Sequence, residues 1–126
     1  MTSLARAAGV AFVLLTAGIG NAWSGTTAEA LREAARVYLQ GDYATALSLW
    51  RPLADQGDAM AQTNIGIMYA KGQGVPQDFV RAYMWLNIAA AYGNSEAARY
   101  RDIVGSHMTQ PQISEAQRLA EKWTRR

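Results

Sequence analysis

The chain is internally repetitive, and the period of that repetition restricts what it can fold into. At an offset of 36 residues Asp42 recurs as Asp78, Ala46 as Ala82, Ala54 as Ala90, Gly57 as Gly93 and Ala61 as Ala97. Upstream the offset is 31, pairing Ala30 with Ala61, Tyr38 with Tyr69 and Gly41 with Gly72. The difference is located in one loop. Gly41 and Asp42 are adjacent, whereas Gln73, Gly74, Val75, Pro76 and Gln77 separate Gly72 from Asp78. Periods of this length belong to stacked supersecondary units, each of which must lean on its neighbour to bury its apolar face.

The unit is a pair of helices. Apolar residues recur at a spacing near 3.6, no segment alternates with period two, and glycines divide the stretches. The pattern predicts six helices over 27–40, 43–56, 59–71, 78–92, 95–107 and 111–124. Gly41, Gly57, Gly72 and Gly93 stand where left-handed C-terminal caps are expected, and Asp42, Asp58, Asp78 and Asn94 where N-caps are expected. Ala61, Ile65 and Tyr69 form one stripe of the third helix, with Gly66 beside them admitting a neighbouring backbone. Ala82, Trp85, Leu86, Ala89 and Ala90 form the facing stripe of the fourth. Small residues against large aromatics make a complementary core. Pro52 is the one residue at odds with its helix, where it should introduce a bend. The expected fold is all-α, an α/α superhelix formed as a short solenoid of about two helix-hairpin repeats with a C-terminal capping helix over 111–124.

The stretch DAMAQTNIGIMYAKGQGVPQDFVRAYMWLNIAAAYGNSEA, residues 58–97, resembles a Sel-one-like repeat (SLR), an α/α solenoid unit related to the tetratricopeptide repeats. The resemblance rests on the ordered set Ala61, Gly66, Tyr69, Gly72, Gly74, Val75, Pro76, Asp78, Ala82, Trp85, Ala89, Ala90 and Gly93. Residues 38–59 resemble the preceding unit, with a shorter loop. After Ala97 the pattern is lost, and Ile113, Ala116, Leu119, Ala120 and Trp123 make an amphipathic last helix. The resemblance implies a scaffold or adaptor in protein–protein contacts, without catalysis, binding through the face lined by the first helix of each pair.

A helical wheel locates that face. In the third helix Met60, Thr63, Asn64, Ile67 and Lys71 share a stripe away from the core. The offset of 31 carries it to Glu29, Arg32, Glu33, Arg36 and Gln40, and the offset of 36 to Glu96, Arg99, Tyr100, Ile103 and His107. The candidate protein-binding residues are therefore Arg32, Arg36, Met60, Thr63, Asn64, Ile67, Lys71, Arg99, Tyr100 and Ile103. Plainer readings stand beside this one. Met60, Ile67 and Ile103 also suit inter-helix packing, and Tyr100 suits a core aromatic. The Glu and Arg residues at 29–36 suit ion pairs on a solvated face. His107 has no second histidine or cysteine to form a metal set.

Other classes are disfavoured by content. There is no cysteine, one histidine and a formal charge of +2, which leaves no disulfides, no thiolate metal site and no dense basic stripe for nucleic acid. Glu29 and Glu33 are the closely spaced carboxylates, but two arginines share their helix face, and no pocket-forming catalytic motif accompanies them. The protein is expected to be no enzyme and to need no cofactor. Residues 1–22 read as a secretory leader. Arg6 precedes an apolar run from Ala7 to Gly20, too short to span a bilayer comfortably, and Gly20 and Ala22 follow the small-x-small cleavage pattern. That predicts an exported protein, periplasmic or secreted, whose repeat domain covers 27–126 and whose membrane contact is through the uncleaved leader alone. The expected partner is another protein or peptide. Self-association as a subunit of an envelope assembly is the alternative.

Overall fold

Six α-helices follow one another, with no strand among the described residues: α1 Thr27–Leu39, α2 Tyr43–Asp55, α3 Ala59–Lys71, α4 Phe79–Ala91, α5 Ser95–Gly105 and α6 Gln110–Thr124. The computed structural model describes residues 25–126, so the leader assigned to residues 1–22 lies outside the described residues. Residues 31–126 form one compact unit, and residues 25–30 belong to the stretch before it.

Local chemistry sets the helix ends. The side chains of Asp42, Asp58, Asp78 and Asn94 accept from the backbone N–H groups of Thr45, Ala61, Arg81 and Ala97. Each satisfies a donor that the first turn leaves without an intrahelical partner. α1 begins on a reciprocal pair, in which Thr26 N–H donates to Glu29 Oε1 at 2.7 Å and Glu29 N–H donates to Thr26 Oγ1 at 3.1 Å. The same device opens α6, between Thr109 and Gln112, with Pro111 in the first turn. Gly41, Gly57, Gly72 and Gly93 all adopt positive φ beyond their helices. Pro52 stands in the last turn of α2, where it offers no N–H to Ser48, and the helix still runs to Asp55.

The five inserted residues tie their loop to the preceding helix pair and close the turn between α3 and α4. Gln73 Oε1 accepts from the Tyr38 hydroxyl at 2.7 Å. Asp78 N–H donates to Tyr69 O at 2.9 Å, and Gln77 Nε2 to Ala70 O at 2.9 Å. Gly74 has φ +76°, and a Cβ there would lie 3.1 Å from the carbonyl carbon and oxygen of Tyr43. Gly74→Ala should therefore destabilise the fold by about 2 kcal/mol, through the left-handed backbone and a clash with backbone atoms that cannot step aside. Gly57→Ala supplies the control, because its φ is +100° but nothing lies within 4 Å. Urea unfolding of the two variants checks the prediction, which fails if they lose equal stability.

α3 packs against α2 and α4, and α4 in turn carries α5 and α6. Ala61, Ile65 and Tyr69 are buried as the stripe requires, and so are Ala82, Trp85, Leu86 and Ala89, while Ala90 is half-buried. Gly66 is a point of close approach: a Cβ there would meet Leu86 Cγ at 2.7 Å and Ala82 O at 3.2 Å. On the far side of α4 the Trp85 ring meets Trp123 of α6 edge-on at 5.9 Å, and the Arg51 guanidinium of α2 sits 5.8 Å from the Trp85 ring centre. Thr63 departs from the wheel. It is 2% exposed, and its hydroxyl donates to Ala59 O at 2.8 Å. Neighbouring Gln62 is fully buried and donates from Nε2 to Ala54 O at 3.1 Å. A helix with neighbours on several sides has no wide solvated face, so a two-sided wheel misplaces residues at its margins.

Candidate protein-binding groove

Two depressions lie between the first helices of successive pairs, one on each side of the Ile67–Lys71 row of α3. The first, about 320 Å³, has Trp50 of α2 in its lining; Ala35, Tyr38 and Leu39 of α1 form one side, and Asn64, Ile67 and Lys71 of α3 the other, with Glu96 and Tyr100 of α5. Trp50 is 3% exposed and is held by the Tyr38 ring at 5.6 Å, which also meets Tyr43 at 5.1 Å. The second, about 260 Å³, has Leu86 of α4 in its lining. Its sides come from Ile67, Ala70 and Lys71, from Phe79, and from Tyr100, Ile103, Val104 and His107. Ile67, Lys71 and Tyr100 line both.

Of the residues expected on this face, Asn64, Ile67, Lys71, Tyr100 and Ile103 are brought together here. Ile67 and Tyr100 are half-buried, Ile103 is 48% exposed, and His107 stacks on Phe79 at 5.7 Å. Arg99 stands at the edge, its guanidinium 4.7 Å from the Tyr100 ring centre and 3.7 Å from the Glu96 carboxylate. Thr63 is inside, as described. Met60 is exposed in the first turn of α3 but lines neither depression.

The other two do not join the groove. Arg32 is exposed on α1 and lines neither depression. Arg36 pairs with Glu33, and that hydrogen bond holds the Glu33 carboxyl below its ordinary range. A lowered carboxyl contributes stability above the unfolded-state range and loses it as pH falls through the folded value; at the solvated surface this pair contributes little. In place of these arginines α1 presents Ala35, Tyr38 and Leu39, with Leu39 84% exposed. The rigid offset of 31 missed them because α1 lines the groove with residues next to the mapped stripe. A usable signal was present: Leu39 lies off the buried Ala30, Ala34 and Val37 set, yet it is a large apolar residue. Leu86, expected in the core stripe of α4, and Trp50 are core residues that also line the groove.

Among the described residues no group of three or more His, Asp or Glu side chains could hold a metal ion, and no helix is long and apolar enough to cross a membrane.

Helical hairpins leaning on one another, capped at equivalent positions and joined by repeat-equivalent glycine turns, define an α/α superhelical repeat protein. The Sel1 repeat model matches residues 28–58 and 59–94, units of 31 and 36 residues that coincide with the two offsets. The chain belongs to the Sel1 repeat family. It is similar to a crystal structure of c5321, a protective antigen present in uropathogenic Escherichia coli strains displaying an SLR fold. The two are 28% identical with a TM-score of 0.72, over 79% of this chain and 22% of that one. The chain thus spans about a fifth of the length of the solved protein that it matches. No characterised protein of curated function matches it in sequence. Sel1 repeat proteins are generally protein-interaction scaffolds, and the family is typically non-catalytic.

Proposed function

We propose that this protein is an exported scaffold or adaptor that holds another protein against the face lined by α1, α3 and α5. The observation that carries the reading is the pair of apolar-floored depressions on that face, bordered by exposed Leu39 and Ile103. Apolar side chains left in solvent beside preformed hollows are what a partner's anchor residues require. Export rests on Arg6, the apolar run from Ala7 to Gly20 and the Gly20–Ala22 pattern. The mass of the protein recovered from fractionated cells checks it, and a full-length cytoplasmic species removes it.

A photoreactive residue at Ile103 or at Tyr92, which is 55% exposed outside both depressions, tests the binding face in intact cells. A recurrent adduct to another protein is expected from Ile103 and none from Tyr92. Adducts to this chain alone would replace the adaptor by a self-associating subunit, and adducts only from Tyr92 would discard the face. Ile103→Glu should weaken the captured complex at least tenfold while the unfolding free energy changes by about 0.5 kcal/mol or less, because the side chain is half in solvent. Ile67 and Tyr100 are more enclosed, so Ile103 separates binding from folding better than either.

A further inference from the structure

The two depressions, hollows in the same face, differ in charge. The first has a carboxylate in its lining, Glu96, together with the Asn64 amide. The second, about 260 Å³, is lined by aliphatic and aromatic side chains apart from the polar ends of Lys71, Tyr100 and His107, and it holds no carboxylate. Its volume is below the ~300 Å³ at which hollows begin to enclose a drug-sized molecule. It suits one large side chain of something that extends beyond it, and Ile103 of its lining is half in solvent.

The polar ends around the second hollow have no acceptor inside the protein. Among the described residues the Lys71 ammonium, the Tyr100 hydroxyl and the His107 ring nitrogens make no hydrogen bond or ion pair. A basic side chain at a helix end ordinarily serves the last carbonyls of the helix. Here other donors do so. Met68 O accepts from Gly72 N–H and from Gln73 N–H, Tyr69 O from Asp78 N–H at 2.9 Å, and Ala70 O from Gln77 Nε2 at 2.9 Å. At the end of α5, Ile103 O accepts from Ser106 Oγ at 2.6 Å and Val104 O from the backbone N–H of His107 at 3.0 Å. The acids of α5 and of the α4 N-cap are also engaged elsewhere: Glu96 faces Arg99 at 3.7 Å, Asp102 faces Arg101 at 3.1 Å and Asp78 faces Arg81 at 3.5 Å.

Resting on the binding face proposed above, we infer that the second hollow takes one large apolar side chain from an acidic segment of the partner protein, with a carboxylate beside that side chain meeting Lys71. The apolar lining selects the anchor, and the donors without acceptors select the sign of what flanks it. Donors that lose water on docking need acceptors, and a carboxylate brings two oxygens. A basic flank would face the Lys71 ammonium and be repelled, and Glu96 makes the first hollow the poorer place for an acid-flanked anchor. The requirement is one of chemistry and holds for an extended or a helical segment alike.

Amide NMR of the protein, titrated with three end-blocked peptides, reads this out: Glu-Glu-Phe-Glu-Glu, Lys-Lys-Phe-Lys-Lys and Glu-Glu-Ala-Glu-Glu. The first should shift the amides of Ala70, Ile103 and Val104 and bind about fivefold or more tightly than either of the others. High salt should narrow its advantage over the basic peptide, and Lys71→Glu, at an exposed position, should abolish or invert that advantage. Equal binding of the acidic and basic Phe peptides overturns the inference, as do shifts centred on Ala35 and Leu39 of the first hollow, or no shift with any peptide at millimolar concentration. Octanoate that shifts the same amides as strongly as the acidic Phe peptide would make the hollow a site for a free acid and overturn it too. So would shifts there that grow with protein concentration alone, which would make the occupant a second copy. The crosslink at Ile103 decides the adaptor reading separately: an adduct to another protein beside failed peptides strikes the acidic anchor alone, and no adduct strikes both.

Discussion

Trp85→Ala should lower the free energy of unfolding by about 3–5 kcal/mol, the range for deleting a large aromatic from a core. Trp85 is 2% exposed on α4, and α4 bears on α3, α5 and α6. Its ring faces Trp123 of α6 edge-on and lies under the Arg51 guanidinium of α2. Alanine removes the apolar contact, and of their partners Arg51 keeps Asp55 at 3.6 Å and Trp123 keeps the Arg126 guanidinium at 4.7 Å. Because a domain of this size is stable by about 5–15 kcal/mol in total, the variant should unfold at a much lower urea concentration. Trp85→Phe keeps a ring in the same place and should recover more than half of the loss. A Trp85→Ala variant with an unchanged midpoint would mean that α6 is not held through this contact.

Gly66→Ala is the second large effect, and its sign runs against helix propensity. Alanine for glycine inside an exposed helix normally stabilises by up to about 1 kcal/mol. Here the added methyl would sit 2.7 Å from Leu86 Cγ and 2.9 Å from its Cδ2, with Ala82 O at 3.2 Å behind. Leu86 is fully buried, and the way out for its side chain is toward the second hollow that it lines. Overpacking of this kind costs about 1–3 kcal/mol, so a net destabilisation near 2 kcal/mol is expected. Leu86→Ala removes the obstruction. In that background Gly66→Ala should be neutral or stabilising, which gives a coupling of about 2 kcal/mol in a double-mutant cycle. Additive losses would show that the close approach of α3 and α4 is not enforced at Gly66. Leu86 also lines the second hollow, so the Gly66→Ala variant should hold a partner at the proposed face less well even where it remains folded.

The proposed binding face therefore depends on the core beneath it. Trp50 and Leu86 are buried between helix pairs and at the same time bottom the two hollows. A repeat protein of this kind has no separate site scaffold, because the inner face is the edge of its packing.

The helices, their caps and their order were legible in residue types alone. A carboxylate or amide at an N-cap and a glycine at a left-handed turn act over three or four residues, a distance that sequence spacing reports directly. The close approach at Gly66 was legible for a similar reason, since a missing side chain facing alanines and a leucine has few other uses. The lining of the two hollows was legible in α3 and α5, where the mapped positions Asn64, Ile67, Lys71, Tyr100 and Ile103 do gather. In α1 the lining falls on Ala35, Tyr38 and Leu39 instead of the mapped arginines, and Thr63 is buried.

Sequence by itself determined six helices, their ends, two repeat units and the stripes that become core, because those follow from contacts within a turn or between residues at a fixed period. Tertiary structure decided which margins of those stripes meet solvent. Thr63 is inside because α3 has helices on more than one side, and Ala35, Tyr38 and Leu39 replace Arg32 and Arg36 in the groove because of how α1 is turned about its own axis. Helix rotation is set by the sum of packing contacts with other elements, and no single helix carries that information.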